Sequence, residues 1–224
     1  MLRGAMRRVS LVALAVSVVL TAPGALAHAQ GAGGFDYTSR QPDEAPTQEG
    51  IYLHVRAGLS AFGFFGKGSS ERAWAAGSAI DAGFAIGRFL VPGTALYVAI
   101  DATFLPARMH ESSIPMLDAH GVAGGALGVG LVRYLPGSST FVGGALSVEF
   151  LTFSGYPADD PMNVGPVGRF ELGHEWALSE GGAVGMAGYV TGGWLHGVPS
   201  NDVPSPMESL GSLGGGLVAT LTLR

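Results

Sequence analysis

The segment Arg169–Leu178, RFELGHEWAL, alternates charged and apolar side chains at a period of two residues. Arg169, Glu171 and Glu175 share one parity, and the other parity holds Phe170, Leu172, His174, Trp176 and Leu178. A period of two indicates an extended strand, because successive side chains of a strand point to opposite sides. The segment therefore predicts a β-strand that separates a charged side from an apolar side.

Seven other segments are also long and mostly uncharged, most of them with a similar alternation, and turn-forming residues separate them. We predict eight strands, at 51–63, 73–88, 94–105, 119–134, 140–153, 165–178, 183–195 and 209–223. Each is long enough for the roughly 9–11 residues that a tilted strand needs to cross a hydrocarbon layer. Long polar connections alternate with short ones such as LPGSS, which is typical of an all-β, eight-stranded antiparallel up-and-down transmembrane β-barrel.

A helical alternative is disfavoured by the glycine content. Residues 121–132, GVAGGALGVGLV, contain five glycines, and each costs a helix about 1 kcal/mol relative to Ala. The G-x-x-x-G spacings of this segment suit packed membrane helices. Outside the N-terminal region, however, no uncharged run forms a clean span of about 20 residues.

The amount of charge indicates which face meets which medium. Only 13% of the residues are charged, about half of the roughly 25% usual in soluble domains. A soluble barrel has to coat its outer face with polar groups, whereas here one face of each strand consists almost entirely of aliphatic and Phe side chains. We therefore predict an apolar wall against lipid and a small polar lumen, with the charges pointing inward.

Seven charged residues share the predicted inward parity: Arg56, Asp81, Asp101, Glu149, Arg169, Glu171 and Glu175. Arg133 is a further candidate. Buried charges need partners, so we predict a network of ion pairs that plugs the lumen, in which carboxylates bridge Arg56 and Arg169. In the fourth and seventh strands the parity stays open, because register is weakly specified in Gly-rich segments.

Aromatic residues concentrate near the strand ends and predict two interfacial girdles. The set near the long connections is Phe62, Phe64, Phe65, Trp74, Phe104, Phe153 and Trp194. The set near the short connections is Tyr52, Phe89, Tyr134, Phe141 and Trp176. The general preference of aromatic residues for strands is the alternative explanation.

The N-terminal region has the features of a signal peptide. Three arginines precede the apolar run 9–22, and small residues allow cleavage after Ala27 or Ala29. We predict a signal peptide at 1–29, a flexible lead-in at 30–50 and the barrel at 51–224. Without residues 1–29 the chain carries 9 basic and 17 acidic residues, a net charge of about −8, which argues against a nucleic-acid partner.

The pattern of residues 51–224 resembles the small eight-stranded outer-membrane barrels of Gram-negative bacteria, the OmpA/OmpX/OmpW-like group. The resemblance rests on architecture and implies a location in the cell outer membrane, with the lipid bilayer as the main partner. Members of that group commonly end in an aromatic residue that is read by the assembly machinery. This chain ends LVATLTLR, with Leu223 and Arg224 at its last positions.

We predict a non-enzymatic, monomeric porin-like protein of the cell surface, without cofactor, that makes its contacts through four extracellular loops. One alternative is a narrow conduit or binding site for small apolar molecules, as in the OmpW-like proteins. A second alternative is an outer-membrane lipid hydrolase that uses a Ser and a His. His174 lies on the predicted lipid face, and no nucleophile motif surrounds it.

Two loops contain residue types that bind metals. The first holds His110, Glu111, Asp118 and His120, and the second holds Asp159, Asp160 and Asn163. Neither spacing matches a compact zinc or calcium site, and solvated polar loops explain both sets equally well. We therefore predict no metal site.

Overall fold

The fold is an eight-stranded antiparallel barrel. The computed structural model describes residues 50–67, 72–105, 121–154, 162–179, 181–198 and 209–224. Its strands are β1 (Ile51–Lys67), β2 (Arg72–Val91), β3 (Thr94–Leu105), β4 (Gly121–Tyr134), β5 (Thr140–Ser154), β6 (Met162–Ser179), β7 (Gly182–Val198) and β8 (Ser209–Leu223). The predicted signal peptide at 1–29, and the lead-in apart from Gly50, lie outside the described residues. The described residues include no helix that is long and apolar enough to cross a membrane.

Each strand pairs antiparallel with its neighbours in the chain, and β1 closes the sheet by pairing with β8. Closure leaves no strand edge unpaired among the eight. The predicted fold class is confirmed, and β3 and β8 have the predicted bounds. At the tight turn between β2 and β3, Pro92 precedes Gly93, whose φ of +76° few other residues adopt.

The outer wall is apolar along all eight strands. Aliphatic side chains project from it with large exposed fractions, up to 73% for Leu146 and 69% for Leu59. Of the charged side chains whose burial is described, only Arg88 and Arg133 are exposed, and both lie near the short turns. Exposing such a wall to water is unfavourable, because removing apolar surface from water gains about 25 cal/mol of free energy per Å². It matches the hydrocarbon core of a bilayer.

Aromatic side chains fill the lumen near the short turns. Tyr52, Phe89, Tyr134 and Phe141 are buried there in one cluster, and Tyr52 packs edge-to-face on Phe89. The prediction of a lipid-facing girdle from these four residues is therefore wrong. Phe62 and Phe64 are also buried. Among the predicted girdle residues whose side chains are described, only Phe65, Phe104, Trp176 and Trp194 are exposed, and the side chains of Trp74 and Phe153 lie outside that described set. The inward parity of these residues explains the difference.

Glycines on the inner wall make room for these rings. An atom placed at the Cβ position of Gly130, on β4, would lie 2.4 Å from Cζ of Tyr97. Phe141 covers Gly173 and Phe62 covers Gly214 in the same way, with 2.4 and 2.6 Å to their nearest ring atoms. These contacts fix the register that the Gly-rich strands leave open in the sequence, because a shift of one residue would move each glycine away from its ring.

Replacing Gly130 by Ala is expected to lower the free energy of unfolding by roughly 1–3 kcal/mol, because the new methyl group overlaps the Tyr97 ring. Gly144→Ala is the matched control, since its Cβ would meet nothing closer than the Arg169 carbonyl oxygen at 3.7 Å. Urea unfolding of both variants in lipid vesicles measures the difference. Equal stabilities would contradict the packing described here.

Candidate functional site

The middle of the lumen holds a guanidinium group paired with carboxylates. Arg56 on β1 donates from Nε to Asp101 Oδ1 at 3.0 Å, and from Nη2 to Oδ1 and Oδ2 at 2.5 and 2.7 Å. Its Nη1 also lies 3.7 Å from Glu171 Oε2. The Arg56 side chain is only 2% exposed. Such a fork-shaped contact is among the strongest pairings available to Arg.

Arg169 on β6 completes this group from the other side of the lumen. Its Nη1 is 3.9 Å from Asp101 Oδ1, and its Nε is 3.5 Å from Glu171 Oε2. The guanidinium lies over the ring of Tyr189, with 3.7 Å from Cζ to the ring centroid. Asp101 and Glu171 thus each contact both arginines. We refer to Arg56, Asp101, Arg169 and Glu171 as the central cluster.

A second cluster lies near the short turns and centres on Glu175. This carboxylate accepts hydrogen bonds from Tyr134 Oη, at 3.0 Å, and from Thr222 Oγ1. It also pairs with Nη2 of Arg224, whose guanidinium stacks 4.6 Å from the centroid of the Tyr134 ring. His54 Nδ1 lies 2.9 Å from Thr222 Oγ1. The cluster ties the end of β8 to β4 and β6.

Asp81 and Glu149 are also buried in the lumen but have different partners. Asp81 accepts hydrogen bonds from Thr103 Oγ1, at 2.8 Å, and from Tyr189 Oη. The Ser212 hydroxyl donates a hydrogen bond to the Glu149 carboxylate. The Oε2 atom of that carboxylate has no hydrogen-bond partner. Within the described residues, neither carboxylate lies at ion-pair distance from an arginine. The seven predicted site residues all face inward, but they do not form one continuous set of ion pairs.

The space left between these groups is small. A cavity of about 40 Å³ lies beside the central cluster and is lined by both arginines together with Asp81, Asp101, Glu149 and Tyr189, among others. One water needs roughly 10–15 Å³ measured in this way. This cavity therefore has room for a few waters or a small ion.

Other candidates from the sequence occupy different places. Arg133 is exposed on the outer wall, so its provisional place in the lumen is wrong, because its parity on β4 is that of Leu131. His174 faces outward, 3.0 Å from Thr140 Oγ1 through its Nδ1 and against the ring of Trp176. Asn163 is buried at the start of β6.

His110, Glu111, Asp118, His120, Asp159 and Asp160 lie outside the described residues. Within the described part of the chain, no three His, Cys, Asp or Glu side chains form a group that could hold a metal ion.

Sequence reasoning missed the cation of the second cluster. Arg224 shares the parity of Thr220 and Thr222, so extending the alternation of β8 by one step would have placed it in the lumen. Tyr189 was missed because it lies on β7, where glycines obscure the alternation. Its ring contacts an arginine and its hydroxyl contacts a carboxylate.

Comparison with solved structures identifies barrels of the same kind. Outer membrane protein AlkL, solved in lipid bilayers, matches with a TM-score of 0.52 and 13% identity over 86% of this chain and 97% of AlkL. Neisserial surface protein A matches at 0.44 and 15% identity, over 79% of this chain and 99% of its own. OprG from Pseudomonas aeruginosa matches at 0.44 and 12%, over 81% and 99%. No protein-family model and no curated protein matches the sequence.

The AlkL match shows that this chain has the fold of a small outer-membrane β-barrel, and the resemblance predicted from the sequence is confirmed. A closed barrel of this fold with an apolar outer wall belongs in a bilayer, in agreement with the predicted outer-membrane location.

Arg56→Gln is expected to lower the free energy of unfolding by about 3–5 kcal/mol, because it leaves Asp101 and Glu171 buried with a weaker counter-charge. Arg133→Gln, the same substitution on the outer wall, serves as the control and is expected to change stability far less. Urea unfolding in vesicles gives both values. A loss for Arg56→Gln no larger than that of the control would show that the central cluster does not stabilise the barrel.

Proposed function

We propose that this protein is a non-enzymatic outer-membrane barrel whose lumen is plugged by ion pairs and whose contacts are made by its four long loops. The observation that supports this most directly is the central cluster. Two arginines share two carboxylates in the middle of the lumen, at a depth where an open channel would contain water. Such a barrel is a rigid scaffold that holds the loops at the cell surface.

The aromatic cluster supports a closed lumen as well. Tyr52, Tyr134 and Phe141 lie between the central cluster and the short turns, with 5.7 Å between the ring centroids of Tyr134 and Phe141. An ion moving along the axis would therefore meet a charged layer and then a layer of packed rings. The first layer is held by ion pairs and the second by the packing of aromatic rings. Neither an applied voltage nor high salt is therefore expected to open both layers.

Planar bilayer recording tests the plug. The wild-type barrel is expected to give no steady conductance. The double variant Arg56→Ala/Arg169→Ala is expected to give only rare and brief cation-selective openings, because it removes both guanidinium groups and leaves Asp101 and Glu171, but retains the layer of packed rings as the second barrier. Heat-modifiable gel mobility verifies that the variant is folded. Steady wild-type conductance would overturn the proposal of a plugged lumen.

Labelling of intact cells tests which end carries the contact surface. A peptide tag inserted within residues 106–120, between β3 and β4, is expected to react with an impermeant antibody on whole cells. The same tag in the short turn at 135–139, between β4 and β5, is expected to react only after the outer membrane is permeabilised. The reverse pattern would place the long loops in the periplasm and contradict a surface role.

A second candidate function is the binding of small apolar molecules, and the composition of the upper lumen favours it. Above the central cluster, near the long loops, most of the buried side chains are apolar, namely Phe62, Leu105, Val122, Leu151, Leu195 and Leu210, and they lie beside the polar Asn163 and Ser212. Because the plug lies below these residues, this site would hold a ligand rather than conduct it through the barrel.

Methyl NMR of the barrel in lipid bilayers distinguishes the two candidates. If the upper lumen binds apolar molecules, adding a medium-chain alkane shifts the methyl signals of Leu195 and Leu210 in a saturable way. The methyl groups of Leu59 and Leu217, which are exposed on the outer wall, report non-specific partitioning. Shifts that are equal and non-saturable at all four residues would exclude the second candidate.

A further inference from the structure

The lumen contains more negative than positive charge in the region of the cavity. Four carboxylates, those of Asp81, Asp101, Glu149 and Glu171, lie near two guanidinium groups. Both guanidinium groups contact Asp101 and Glu171. When ionised, this set retains two negative charges without a matching cation. Buried charge of one sign costs several kcal/mol per ion when it is left uncompensated.

The two carboxylates outside the central cluster differ in how they are satisfied. Each oxygen of Asp81 accepts one hydrogen bond, from Thr103 and from Tyr189. Glu149 is only 7% exposed, and its Oε2 accepts none. The carboxylates of Asp101 and Asp81 act on Glu149 through their charges, so two acidic groups raise the cost of ionising Glu149, which lines the cavity.

We propose that this cavity binds one small monovalent cation, of the size of Na⁺ or K⁺, with Glu149 as its main ligand and Asp81 as the second. The cation would neutralise one of the two negative charges that no arginine matches. The inference goes beyond the proposed structural role and concerns how the plug itself is completed.

The cavity and its lining limit the class of cation. At about 40 Å³ the cavity holds one small ion with a water or two, and an organic ammonium ion such as choline is larger than the space available. Both arginines line the same cavity, so their positive charge disfavours a divalent cation and favours a position of the bound ion on the side of Asp81 and Glu149.

The test compares salts at equal ionic strength. The full-length barrel, folded in neutral-lipid vesicles, is unfolded by heat in sodium, potassium or choline chloride. Sodium or potassium is expected to raise the unfolding midpoint over choline in a saturable way, by roughly 3–6 °C at about ten times the dissociation constant. Glu149→Gln is expected to abolish the difference between salts. Glu175→Gln, the same change in the second cluster, is expected to retain it.

Three outcomes would overturn the proposal. Equal midpoints in all three salts would show that no alkali cation binds. A salt difference that persists in Glu149→Gln would show that the cation does not bind at this residue. An infrared band of a protonated carboxylic acid at neutral pH that disappears in Glu149→Gln would show that a proton, rather than a cation, neutralises this residue. Each result would leave the silent conductance expected of the plugged barrel unaffected, so the two proposals fail independently.

Discussion

The structure depends on a solvent that offers no hydrogen bonds. Inside a bilayer every backbone amide and carbonyl has to find its partner within the protein, and a closed sheet satisfies that requirement for all eight strands. Closure then separates two environments a few ångströms apart. Alternate side chains meet either lipid or the lumen, so the sequence can carry charge at only one parity of each strand.

Placing charge in a narrow lumen creates a second requirement, because each buried ion needs a counter-ion. The central cluster meets it by letting two carboxylates serve two arginines. The second cluster meets it with Glu175, Arg224 and hydroxyl groups. In the central cluster, glycine on the strand between Arg56 and Asp101 provides the space, since Gly83 pairs with both residues. A Cβ at Gly83 would lie 2.2 Å from Asp101 Oδ1 and 2.7 Å from Arg56 Nε, so this glycine makes the closest ion pair possible.

Much of this architecture could be predicted from the sequence, because lipid and lumen impose alternation directly on residue types. The bounds of β3 and β8 follow from the turn-forming and polar residues that flank them, and the inward direction of Arg56, Asp101 and Glu171 follows from parity. Parity could not tell which inward groups would touch, since contacts across the lumen depend on the stagger between distant strands. Glu149 and Asp101 both point into the lumen, but of these two carboxylates only Asp101 pairs with an arginine within the described residues.

The errors in the sequence analysis have the same physical origin. Tyr52, Tyr134 and Phe141 are aromatic rings near strand ends, and such rings suit either a membrane interface or a packed lumen. Their partners decide the outcome: Tyr134 donates to Glu175, and Phe141 packs over Gly173. Both partners lie on β6. This strand pairs with β5, which carries Phe141, but not with β4, which carries Tyr134. The residues in contact are therefore more than 30 positions apart in the chain, and no local pattern in the sequence reveals the contacts.

The central claim is that ionised side chains face the axis and aliphatic side chains face lipid. Solid-state NMR of the barrel in bilayers can measure magnetisation transfer from lipid acyl protons to assigned side chains. The account predicts rapid transfer to Leu59, Leu146 and Leu217, and no direct transfer to the side chains of Arg56 and Glu171. Direct transfer from acyl chains to those two charged groups would contradict it.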